Sequence, residues 1–150
     1  MIDSILSSLH FLLAFALVAM LAAQNVLIRP GITASSLRLA ASLDRAYGAS
    51  AVLLLGVGFS RVYWDTKGPA FYLSNLLFWT KIGLFMTVAI LSIPPTLRLI
   101  RWSTQAHPQT EFLPSNEQVR RIQWWLRAEV FVLAFIPFFA AAMARGMGVP

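Results

Sequence analysis

The sequence predicts an all-α membrane protein, a four-transmembrane-helix bundle with both chain termini on the extracytoplasmic side. The 150-residue chain is 58% hydrophobic and only 12% charged, with a mean hydropathy of +0.69. A soluble domain carries about a quarter charged residues. The apolar residues gather into four stretches. At about 1.5 Å rise per residue, each is long enough for a helix to cross a hydrocarbon core of roughly 30 Å. Basic residues set the orientation. Arg29, Arg38, Arg45, Arg98, Arg101, Arg120, Arg121 and Arg127 gather on the side of the first and third loops; only Arg61, Lys67 and Arg145 fall on the side of the termini. Lys and Arg concentrate in cytoplasmic loops. The expectation is one integral membrane domain, residues 1–150, in a bacterial inner (cytoplasmic) membrane.

The first span is expected over residues 4–28. It has no formally charged residue and one imidazole, His10. Wrapped at 100° per residue, Asp3, Ser7, His10, Ala14, Leu17, Leu21 and Gln24 share one side, opposite Leu, Phe, Ala, Val and Ile. Lipid satisfies no polar group, so this stripe should face protein. Asp3 stands where a cleavable signal peptide would need a basic region, so the segment is expected to be retained. Arg29, Pro30 and Gly31 stop the helix.

The second span, residues 44–64, begins at Asp44 and Arg45 after a connector, residues 35–42, that either lies along the interface or starts the helix. Gly48, Ala51, Leu55, Gly58 and Val62 form a small-residue face suited to close helix approach. Arg61, Tyr63, Trp64 and Asp65 mark its interfacial end. After a turn with Lys67, Gly68 and Pro69, the third span covers residues 71–93. It carries one in-membrane cation, Lys81, on a stripe with Ser74, Val88 and Ser92. Pro94 and Pro95 are expected to end or sharply bend it. A polar loop with His107 leads to Ser115, whose spacing to Gln118 is that of a capping box. The fourth span, residues 117–145, should be kinked by Pro137 and ended by Gly146. Trp102, Trp124 and Trp125 read as an interfacial aromatic belt.

Several functions are excluded or disfavoured. Without cysteine there is no disulfide, thiolate metal site or Cys nucleophile. Two histidines cannot supply a usual zinc site alone. The net charge of +6 belongs to span ends, where it orients the chain and meets anionic lipid, and does not imply a nucleic-acid partner. No phosphate loop, dinucleotide fingerprint or Ser-His-Asp constellation is present. What remains are polar groups at depth. His10, Lys81 and Arg61 come from three helices and fall in the same half of the membrane. They read either as a ligand site, with His10 on a haem iron and Lys81 and Arg61 pairing propionates, or as a packed histidine beside snorkelling cations. Glu129, far along the fourth span, is expected to pair with Arg127, Arg45 or Arg29, or to bond Gln24 and Asn25. A proton path from Glu129 to His10 is the alternative.

The layout of His10 early in span one, Asp44–Arg45 at the start of span two, and Gly68 through Trp79 leading to Lys81 resembles a family of uncharacterised bacterial four-span membrane proteins. It is more distantly similar to HemJ-type protoporphyrinogen oxidases and CopD-like membrane proteins. The HemJ-type resemblance, carried by His10 and Lys81, implies b-type haem with His10 as metal ligand. That family follows its histidine with an aromatic-small-Gly pattern, whereas Phe11 to Ala16 contain no glycine. The leading expectation is therefore an inner-membrane protein binding haem b in a redox or haem-related role, its site His10, Lys81 and Arg61. The alternatives are a non-catalytic accessory or assembly subunit of a larger membrane complex, and a small transporter acting as a dimer; the partners expected are the lipid bilayer and either a homo-oligomer or a larger membrane complex.

Overall fold

In the computed structural model, residues 2–64, 68–106 and 112–148 are described, and among them the chain is all helix and connection, with no strand. Five helices follow one another: α1 (Ile2–Leu27), α2 (Ala34–Trp64), α3 (Gly68–Ser74), α4 (Leu76–Gln105) and α5 (Asn116–Ala144). Four of them, all but the short α3, are long and apolar enough to cross a membrane. The closest partnerships are α1 with α2 and α4 with α5; α2 against α4 and α1 against α5 close the bundle. Asp65, Lys67 and His107, singled out in the sequence, lie outside the described residues.

Helix faces follow from the periodicity of polar and bulky residues. On α1, Leu17, Leu21 and Gln24 are buried, while Phe11, Leu12, Phe15 and Val18 on the other side are exposed. The stripe on which His10 lies therefore turns inward, as the insolubility of polar groups in lipid demands. Exposed Phe15, Val52 and Phe138 leave over 70% of their surface uncovered; an apolar exterior of this kind is what a bilayer solvates. One core cluster joins Leu17, Leu21, Ile28, Leu37, Leu99 and Leu126 with their neighbours. A smaller one, Val62, Tyr72, Phe78 and Met143, closes the end of the bundle near the chain termini.

The helix ends have local causes. The chain leaves α1 through Gly31, whose φ of 79° is a left-handed conformation that glycine adopts without a Cβ penalty. The Gly31 amide donates to Asn116 Oδ1 at 3.0 Å, tying the α1–α2 connection to the start of α5. Ser115 and Gln118 form the expected capping box, each side chain satisfying the other residue's amide. Gly146 has φ 80° just beyond α5, the conformation that commonly terminates a helix.

Three expectations are revised. Of the two readings of residues 35–42 the second holds: they start the helix, and α2 begins at Ala34 rather than at Asp44. Leu37, Ala40 and Ala41 are buried while Arg38 and Leu39 are exposed, so an inward face was already present there at helical spacing. Pro94 and Pro95 do not end α4, which runs through both to Gln105, just as α5 runs through Pro137. A proline costs an amide donor and crowds the preceding turn, but packing of Pro95, Leu99 and Trp102 into the core holds the helix together beyond it. The break falls instead at Asn75, which separates α3 from α4 and caps α4 by accepting from the Leu77 amide at 2.9 Å. Finally, Trp102 is not in an interfacial belt. It is 4% exposed inside the main core, whereas Trp124 stands 62% exposed.

Candidate functional site

Two polar groupings lie inside the bundle. The first is nearer the chain termini. His10 on α1 is half-buried against α2, with Gly58 as its neighbour: a Cβ added at Gly58 would lie 3.3 Å from the imidazole Cε1 and 3.7 Å from Nδ1. The His10 Nδ1 is buried and meets no hydrogen-bond partner among the described residues. The imidazole lies within electrostatic reach of both the Arg61 guanidinium on α2 and the Lys81 ammonium on α4, and Lys81 lies within reach of Arg61. The structure thus brings together all three residues singled out in the sequence, from three helices. Lys81 is half-buried, and no carboxylate among the described residues pairs with it. The small-residue face proposed for α2 divides. Gly58 contributes to this packing, whereas a Cβ at Gly48 would meet nothing.

The second grouping lies deeper, toward the α1–α2 and α4–α5 connections. Asp44 on α2 is 4% exposed, and Glu129 on α5 is 1% exposed. Thr96 on α4 donates its hydroxyl to Asp44 Oδ1 at 3.1 Å. Tyr47, one turn beyond Asp44 and also buried, faces the Glu129 carboxyl within electrostatic reach, as Asp44 does. Among the described residues neither Glu129 oxygen meets a partner in good hydrogen-bonding geometry, although the Tyr47 phenol lies close enough to interact with the carboxyl. Gln24 on α1 is 1% exposed, and its Nε2 is likewise unpartnered.

This corrects the ion pair expected for Glu129. Arg45 and Arg127 are exposed, and no arginine among the described residues pairs with the Glu129 carboxyl. The reason is angular. Arg127 is two residues from Glu129, about 200° round the helix, and Arg45 is about 100° from the buried Asp44. Sequence reasoning missed Tyr47 and Thr96 altogether. The available signal was the three-residue spacing of Asp44 and Tyr47, which puts two polar groups on one helical face inside an apolar run.

The donor set near the termini suits an iron porphyrin in kind. It offers an imidazole with a buried nitrogen that meets no partner among the described residues, two cations of the type that pair carboxylates, and a glycine against which the ring packs closely. The larger surface hollow lies elsewhere, along Ser4, Ile5, Ser8, Leu9 and Leu12 on one side of α1. No group of three or more metal-binding His, Asp or Glu residues occurs among the described residues. A metal held here by His10 would therefore need a carrier such as a macrocycle, or ligands from elsewhere.

No curated protein and no solved structure matches the chain. The family described as "Predicted membrane protein (DUF2214)" matches residues 2–148, nearly the whole length, and the chain belongs to that membrane-protein family.

Proposed function

We propose that this membrane protein binds b-type haem, or a porphyrin of the same charge, in a redox or haem-related role. The observation that carries the reading is that His10, Arg61 and Lys81, from three helices, lie within electrostatic reach of one another. A cation kept at membrane depth costs roughly 2.5–3.5 kcal/mol on insertion scales, and a ligand carboxylate offsets that expense. In this reading His10 would supply a nitrogen ligand, Lys81 and Arg61 would pair the propionates, and Gly58 lets α2 approach the imidazole closely. When bound, the group supplies one-electron redox chemistry; the chain positions it and excludes water.

The test is a visible spectrum of protein purified in detergent from cells supplied with haem. A Soret band that disappears in His10→Ala, and weakens in Lys81→Met, is expected. A wild type with no such band overturns the proposal. Stable co-purification with other membrane subunits and no cofactor would point instead to an accessory role.

A second reading rests on Glu129. A fully buried carboxyl with both oxygens unpartnered, facing a phenol and a second carboxyl, suits a small transporter coupled to proton movement and acting as a homo-oligomer. Liposome flux that is unchanged by Glu129→Gln and by Lys81→Met eliminates it. The orientation belongs to the same proposal: the α1–α2 and α4–α5 connections face the cytoplasm of a bacterial inner membrane, and the termini lie outside. Because the chain has no cysteine, single cysteines at Ser35 and Arg145 report sidedness directly. Labelling of position 145, but not of position 35, by an impermeant maleimide on intact spheroplasts is the expected result.

A further inference from the structure

Arg98 and Arg101 on α4 and Arg121 on α5 line a groove of about 270 Å³ between the two helices, with Ile93, Pro94, Leu97, Ile122 and Trp125 completing its walls. None of these residues belongs to either polar grouping described above. The groove is sorted along its length. The helices are antiparallel neighbours, so the C-terminal end of α4 and the N-terminal end of α5 lie at the same level. Arg101 is four residues before Gln105 and Arg121 five after Asn116, about 6 and 7.5 Å from the helix ends. Arg98 is one turn further in. Beyond it, Leu97, Pro94 and Ile93 continue toward the middle of the helix, and Trp125 does the same on α5. A cationic mouth therefore opens near the membrane surface onto an apolar trough below it.

Among the described residues no acidic side chain lines this groove. Among the described residues the acid that pairs with one of these arginines is Glu117, whose carboxylate lies 3.9 Å from Arg121 Nη2 with both side chains largely exposed. Exposed pairs at such distances are weak, so the Arg121 guanidinium is free to take a better acceptor. Two features decide the occupant. Three arginines within about one helical turn of one another along the groove match phosphate oxygens, which arginine binds in bidentate fashion. The trough beneath is apolar and opens to the bilayer, so it suits a hydrocarbon chain. Basic pockets between membrane helices bind anionic head groups in this way.

We propose that the α4–α5 groove is a binding site for an anionic phospholipid, its phosphate between Arg98, Arg101 and Arg121 and one acyl chain along Ile93, Leu97 and Trp125. The proposal is independent of the haem reading. Its test is native mass spectrometry of the purified full chain, delipidated and titrated with phosphatidylglycerol or phosphatidylcholine of matched chains. Phosphatidylglycerol should bind at least tenfold more tightly. Arg98→Gln/Arg101→Gln/Arg121→Gln should remove that preference. Arg29→Gln/Arg38→Gln/Arg120→Gln, which takes the same charge from the same end of the molecule outside the groove, should keep it. Leu97→Trp should weaken phosphatidylglycerol binding with no change of charge. Equal affinity for the two lipids, or equal loss in the two triple variants, overturns the proposal. So does full competition by inorganic phosphate, which would make this a simple anion site.

Discussion

The hydrogen bond from Thr96 to Asp44 is the point at which the α2–α4 contact is most easily perturbed, and the two partners should respond unequally. Thr96→Val keeps the side-chain shape and deletes the donor. Asp44, 4% exposed, is then left with a carboxylate oxygen that had been bonded at 3.1 Å and has no replacement. Stranding a buried acceptor costs about 1–3 kcal/mol. Asp44→Leu removes the acceptor together with the expense of burying it. The Thr96 hydroxyl can then turn to the carbonyl four residues back, as Thr80 does to Leu76 at 3.0 Å and Thr87 to Gly83 at 2.9 Å. It also takes a second acid away from Glu129. The loss in Asp44→Leu should therefore be under about 1 kcal/mol, an apolar replacement of a buried polar pair being nearly neutral. The assay is unfolding of the detergent-solubilised protein by titrated SDS, followed by helical circular dichroism. The double variant closes the cycle, and a coupling of about 0.6–1.7 kcal/mol is expected from membrane hydrogen bonds. If Asp44→Leu proves costlier than Thr96→Val, Asp44 has a further partner and the reasoning fails.

Glu129→Met should stabilise the protein by about 1–3 kcal/mol in the same titration, because it withdraws two buried oxygens that have no partner; destabilisation would show that the carboxyl is satisfied in the membrane. Gly58→Leu should displace the His10 ring, since even a Cβ would sit 3.3 Å from its Cε1, with overpacking worth about 1–3 kcal/mol and loss of any haem spectrum; Gly56→Leu, in open space, should do neither. At the C-terminal end, Asn75 donates to the Met147 carbonyl at 3.1 Å and Leu76 donates to Gly148 at 3.1 Å. A Cβ on Gly148 would lie 2.6 Å from Leu77 Cγ, so Gly148→Ala should undock this segment and expose it to limited proteolysis while the four long helices persist.

What was legible in the sequence was whatever one helix determines alone. Hydropathy gave four crossings because a helix in lipid must be apolar over its own length. The capping box at Ser115 and the glycine stop at Gly146 were visible because each is satisfied within a few residues. The inward face of α1 was visible because its polar stripe repeats at helical period. The misses have the opposite character. Thr96 and Asp44 are 52 residues apart, and nothing local distinguishes a threonine that bonds another helix from one that bonds its own backbone. Glu129 seemed surrounded by arginines because sequence distance was read as spatial distance. The run across Pro94 and Pro95 depended on core packing from α5, which no proline rule contains.

The glycines of α2 show where that boundary falls. Gly56 and Gly58 both stand in the apolar run of α2. They are two residues apart and so point about 200° from one another. In the folded chain one of them faces open space and the other lies against an imidazole. Composition made both glycines equally permissive of close approach; only the azimuth of α2 against α1 makes Gly58 a wall of the His10 site. That azimuth is itself set by residues the sequence displays, the buried line of Ala40, Asp44, Tyr47, Leu54 and Val62. A polar residue on an inward line has to be read with its line-mates on the facing helix. On that basis His10, Gly58, Arg61 and Lys81 form one unit, and Asp44, Tyr47, Thr96 and Glu129 another.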